Sequence, residues 1–162
     1  MAAPYFDRAA LMMLAAALLL GLSDTGSEAA GSGSWQVVLA AGDDAQPVFD
    51  NATRELSRRL AAAGVPASAI HRLSASTGEI EAGAEPASSD NLWRRIADLP
   101  AQPGDRCLIF LTSHGERGVG LWLARSNRAL RPDELASALS RGCASVPTIV
   151  IISACYSGGF AS

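Results

Sequence analysis

Two side chains in this sequence have the types and the placement for nucleophilic catalysis, His114 and Cys155. A thiol attacks as thiolate and therefore needs a base or a positive field beside it. An imidazole is the side chain best suited to take and return that proton near neutral pH. Each residue ends an apolar run too short for a helix. One run is Cys107-Leu-Ile-Phe-Leu-Thr-Ser-His-Gly115, the other Thr148-Ile-Val-Ile-Ile-Ser-Ala-Cys-Tyr-Ser-Gly-Gly159. Singly neither residue is diagnostic, since a buried strand-end Cys is usually packing and a lone His is more often structural. As ends of neighbouring parallel strands, they emerge together at one edge of a sheet. The backbone amides of Gly115 and Cys155 are then candidates to stabilise the oxyanion of a tetrahedral intermediate.

The elements that must position this pair alternate along the chain. Trp35 to Ala41 reads as a first strand, ended by Gly42-Asp43-Asp44. Pro47 opens a helix to about Ala63, with Val48, Ala52, Leu56, Leu60 and Ala63 as its apolar positions and Gly64 as its stop. A short strand follows from Ile70 to about Leu73. Residues 74–87, rich in Ser, Ala, Gly, Glu and Pro without periodicity, are predicted to be a surface loop. A second helix starts after Ser88 or Ser89 and turns Leu92, Ile96 and Leu99 inward. Gly118 to Leu123 and Arg128 to Leu130 predict a hairpin around Ser126-Asn127. Arg131-Pro132-Asp133-Glu134 opens a third helix, with Leu135, Ala138 and Leu139 as its buried stripe and Gly142 closing it. Such alternation predicts an α/β fold, a mainly parallel sheet with helices on both faces. Right-handed crossovers make the last two strands neighbours. Sites in open sheets form at the carboxyl ends of strands, where His114, Cys155, Asp43 and Asp44 all fall.

Composition narrows the function classes. The chain has 162 residues, enough for one domain, and at 49% hydrophobic and 18% charged it reads as globular. Net charge is −3, and all thirteen basic residues are Arg, scattered along the chain, which argues against a nucleic-acid partner. Arg8 precedes a fourteen-residue apolar run, Ala9 to Leu22, and Ser27-Glu28-Ala29 then suits signal peptidase. Residues 1–29 are therefore expected to be a signal peptide and 30–162 an exported domain, periplasmic or extracellular. The run is short of the roughly 20 residues that span a bilayer, so no stable membrane insertion is expected after cleavage. Export bears on Cys107 and Cys143, which neighbouring parallel strands bring toward the opposite edge of the sheet from the site. They are a possible disulfide, leaving Cys155 as the odd thiol; the alternative is two buried thiols. Three Cys and two His lack zinc-site spacing, so no metal is expected. Gly42-Asp43-Asp44 has too few glycines to cradle a phosphate. Ser157 approaches a nucleophile elbow, but both His residues precede it, against the order that elbow requires. His71 is expected at the surface or rim.

Thr112-Ser113-His114-Gly115 and Ser153-Ala154-Cys155-Tyr156-Ser157-Gly158-Gly159 resemble the two catalytic motifs of the legumain-type cysteine peptidases, especially bacterial secreted members. The resemblance runs from about Trp35 to the end of the chain, and the two motifs are its most specific part. It implies a caspase-like three-layer sandwich, with His114 as base and general acid and Cys155 as nucleophile. Gly115 and Cys155 correspond to the oxyanion hole. The implied reaction is hydrolysis of a peptide or protein substrate through a thioester, with no metal or organic cofactor. Two features depart from the family pattern. Members that prefer Asn before the scissile bond carry a basic residue in the loop after the first strand, where this chain has Asp43 and Asp44. An acidic pocket there favours a basic substrate residue; the preferred reading of the two is solvated turn chemistry. The chain also ends seven residues past Cys155, so the last strands of the fold are expected to be missing. Two alternatives accompany the peptidase reading: a transamidase using the same thioester, and an inactive binding or structural remnant.

Overall fold

The computed structural model describes residues 33–161; the expected signal segment lies outside them. In chain order the elements are β1 (Trp35–Ala41), α1 (Pro47–Ala62), β2 (Ile70–Ser74), α2 (Thr77–Glu81), β3 (Glu85–Pro86) and α3 (Ser89–Ala97). They continue with β4 (Arg106–Thr112), β5 (Gly115–Glu116), β6 (Gly120–Leu123), β7 (Arg128–Leu130), α4 (Pro132–Gly142) and β8 (Thr148–Ser153). Five strands form a parallel sheet in the order β3-β2-β1-β4-β8. The central position of β1 explains its unbroken apolar run. Val37 to Ala41 are fully buried because helices cover both faces.

On one face α1 places Leu56 and Leu60 against Val37, Leu39 and Leu108. On the other, α3 and α4 bring Leu92, Ile96, Leu135 and Ala138 against Val38, Ala40, Ile109 and Leu111. These alternate along each strand, as a pleat requires. Ser88 caps α3 by accepting the Asn91 amide at 3.3 Å, and at the start of α4 the Glu134 carboxylate accepts the Arg131 amide at 2.9 Å. Gly142 does more than end α4. A Cβ there would lie 1.9 Å from the Ile96 carbonyl oxygen, so its bareness permits the close α3–α4 approach. Cys107, in β4, and Cys143, the cap of α4, are joined in a disulfide at the amino end of the sheet.

Three expectations need correction. Val48 is 61% exposed and Ala63 lies beyond the end of α1, whereas Phe49, Thr53, Leu56 and Leu60 turn inward. Twelve residues of α-helix leave Val48 and Leu60 about 120° apart, so they cannot share a face. Residues 74–87 are not a plain loop. They hold α2 and β3, the outermost strand, paired through Leu73↔Glu85 and Ser74↔Pro86. Their buried apolar groups are alanines (Ala75, Ala84 and Ala87), too small to register as a hydrophobic pattern. Ion pairs of Glu79 with Arg54 and Arg72 tie α2 to α1 and β2. The hairpin has a third strand, β5, and its turn carries Asn127 at φ 50°.

At the other edge, β8 pairs with β4 alone among the described residues, and Ile149, Val150 and Ile151 are 49%, 39% and 45% exposed. No helix among the described residues is long and apolar enough to cross a membrane.

Candidate active site

The β4–β8 ladder sets the geometry of the site. It pairs Cys107 with Thr148 and Thr112 with Ser153, each residue opposite the one 41 positions further on. His114 and Cys155 are separated by the same interval. Two residues beyond the last pair, that register brings the two motifs side by side at the carboxyl end of the sheet. The contact is tight. The Ser113 amide donates to the Ser153 carbonyl at 3.4 Å. A Cβ on Gly115 would sit 1.8 Å from the Cys155 carbonyl oxygen and 3.1 Å from its amide nitrogen. Only a glycine lets the backbone after His114 lie directly on the backbone of Cys155.

Both side chains reach solvent: His114 is exposed, and Cys155 is an exposed free thiol. The imidazole meets the Phe49 ring edge-on, with centroids 5.2 Å apart at 87°. Such aromatic pairs contribute about 0.5–1.5 kcal/mol beyond burial and fix ring orientation. Phe49 lies in the first turn of α1, so the loop after β1 delivers a support for His114. Sequence reasoning missed it, although an aromatic directly after a strand-end loop and Pro47 is a readable signal.

The small sheet of β5, β6 and β7 is braced across the strand ends. Ser113, almost fully buried, donates its hydroxyl to the Trp122 carbonyl at 2.7 Å. The Trp122 amide donates to the His114 carbonyl at 2.9 Å, and the Ala124 amide to the Gly42 carbonyl at 2.8 Å. Gly42 must be bare, since a Cβ would meet the Trp122 oxygen at 2.5 Å. Arg125 reaches the Ala75 carbonyl at 2.7 Å and the Thr77 hydroxyl at 2.9 Å. His114 is thus anchored through the backbones on both sides of it.

After Cys155 the chain turns sharply. Tyr156 has φ 58° and ψ 21°, a left-handed conformation that costs a bulky residue about 1–2 kcal/mol. Strain of this kind gathers at functional sites. The Arg117 guanidinium lies 4.7 Å from the Tyr156 ring centroid, so the segments after His114 and after Cys155 meet a second time.

The remaining sequence candidates fall out differently. Asp43 is buried, and its carboxylate accepts the Ala45 amide at 2.6 Å, turn chemistry without the expected solvation; Asp44 is exposed. Ser157 opens a 3₁₀ turn, Ser157–Phe160. His71 is not a rim residue: it lies inside β2, paired with Val38 and half-buried. Burial pulls its pKa below the ordinary value; Arg95 adds to that and Glu85, 3.9 Å away, opposes it. The described residues contain no group of three or more His, Cys, Asp or Glu able to hold a metal ion.

No curated protein matches the chain. The Peptidase C13 family matches residues 94–162. That span contains β4, β8, His114 and Cys155, and over it the chain is similar to the legumain family of cysteine peptidases.

Proposed function

We propose that this chain is a cysteine endopeptidase working through a His114–Cys155 dyad, exported as its leader suggests. The observation that carries the reading is the contact of Gly115 with the Cys155 backbone, which fixes the two motifs against each other. The Cys155 thiolate attacks the carbonyl carbon of the scissile peptide, forming a C–S bond. Charge moves to the carbonyl oxygen, toward the amides of Gly115 and Cys155. The C–N bond then breaks, and His114 gives the departing amine its proton. Water adds to the thioester as His114 takes its proton back, the C–S bond breaks, and the acid leaves. Phe49 keeps the imidazole in place throughout. If an amine replaces water, the product is a transamidated peptide by the same steps.

Mass spectrometry of the intact chain mixed with an ester or peptide substrate tests this reading. The expected adduct is one acyl group on Cys155, formed more slowly in His114→Ala, and released as acid in buffer alone or as amide with added amine. An adduct on another residue, or unchanged kinetics in His114→Ala, contradicts it. A second reading, a binding or structural piece without turnover, is favoured by the exposed Ile149, Val150 and Ile151 on the edge strand β8. That reading predicts no adduct.

A further inference from the structure

A recess of about 110 Å3 lies against Tyr156, the residue after the candidate nucleophile, and is walled further by Glu116, Val119, Gly120, Pro132 and Phe160. Its place follows from the two motifs. Glu116 succeeds Gly115 and Tyr156 succeeds Cys155, the pair whose backbones touch. Water occupies about 30 Å3 per molecule, so the recess has room for one unbranched stem of four or so heavy atoms. Its walls combine glycine backbone with the apolar or aromatic side chains of Val119, Pro132, Tyr156 and Phe160, and Glu116 is the one formally charged side chain among the described residues that line it. Glu116 makes no ion pair among the described residues. The Tyr156 ring already acts as a platform for a cation, since Arg117 stacks on it without lining the recess. A larger hollow of about 620 Å3 between α3 and α4 carries charges of both signs, Asp90, Arg94, Arg128, Asp133 and Glu134, with Arg128 and Glu134 paired to each other, and so does not select one charge as the small recess does.

An anionic side chain entering the recess would meet Glu116 with no counter-charge in the lining. A neutral stem would fill the space and leave the carboxylate unanswered. A lysine side chain satisfies both walls, stem against Pro132 and Phe160, ammonium toward Glu116 and the ring face. We infer that the recess is a specificity subsite that takes a basic side chain adjacent to the scissile bond. This rests on the peptidase reading only in identifying the occupant as substrate. Exposed ion pairs and cation–π contacts together support a preference of about three- to tenfold.

Peptides alike except for Lys, norleucine or Glu at each position flanking the bond provide the test, in two arms. One arm compares kcat/KM in the wild-type chain, Glu116→Gln and Glu116→Lys. The other compares Kd by fluorescence anisotropy in the same three backgrounds carrying Cys155→Ala, where no turnover intrudes. The expected result is a three- to tenfold preference for Lys over norleucine at one position, close to one in Glu116→Gln and turned toward Glu in Glu116→Lys. Binding without a Lys preference, or a preference unchanged in Glu116→Gln, overturns the inference. Cleavage without that preference overturns it while leaving the peptidase reading intact. A Glu116-dependent preference in binding with no cleavage of any peptide does the reverse.

Discussion

Replacing Gly115 with alanine probes the join between the two motifs at the cost of one methyl group. The added Cβ would lie 1.8 Å from the Cys155 carbonyl oxygen and 2.8 Å from its carbonyl carbon. Carbon–oxygen contacts settle at about 3.3 Å or more, so the two backbones must part by roughly 1.5 Å. The obstacle is main chain, which cannot swing aside as a flexible side chain does. A displacement of about 1 Å at a catalytic group lowers turnover about 100-fold, while overpacking at one site destabilises by about 1–3 kcal/mol. Gly115→Ala should therefore lose about two orders of magnitude in kcat while remaining folded. The assay is peptide hydrolysis beside thermal unfolding and the alkylation rate of Cys155. Gly78→Ala is the control, since its Cβ would have only the Ser76 hydroxyl nearby, at 3.9 Å. A Gly115→Ala chain with wild-type kcat and Tm would refute the proposed contact.

Phe49→Ala removes the edge-on partner of His114 and should lower kcat about three- to tenfold with KM little changed, the signature of a positioning residue; equal effects on KM would point to substrate binding instead. The disulfide joins residues 36 apart, and chain-entropy reasoning assigns a loop of that length about 3–4 kcal/mol. Cys107→Ala with Cys143→Ala should accordingly lower Tm by roughly 10 °C, and an unchanged Tm would speak against the bond. His71 has a folded pKa below its unfolded value of about 6.5. The unfolded chain then binds the extra proton, so stability present above about pH 6.5 is lost as pH falls through that value toward the folded pKa. His71→Gln should flatten that acid-side slope in urea titrations, and a slope equal to wild type would exclude His71 as its source.

Much of the site was legible because it lies where two strong signals stop. Apolar runs too short for helices, cut off by His-Gly and Cys-Tyr-Ser-Gly-Gly, place the chemistry at strand ends without any knowledge of packing. The 41-residue interval equals the ladder register, a fact that only the paired strands reveal. What escaped depends on small groups and on single degrees of helix rotation. Buried alanines give α2 and β3 no periodic signature. The inward face of α1 was misplaced by a row of four-residue steps that drifts around the helix, and Phe49 was overlooked with it. The second roles of Gly42 and Gly142 rest on carbonyls brought close by distant segments, which no local pattern encodes.

The most direct test of the dyad is cleavage of a peptide library by the purified chain, run beside Cys155→Ala. Cys155 is an exposed free thiol, so the variant should unfold at the wild-type temperature. The account predicts cleavage by the wild-type chain and none by the variant. Equal cleavage by both, or none by a folded wild-type chain, would contradict it.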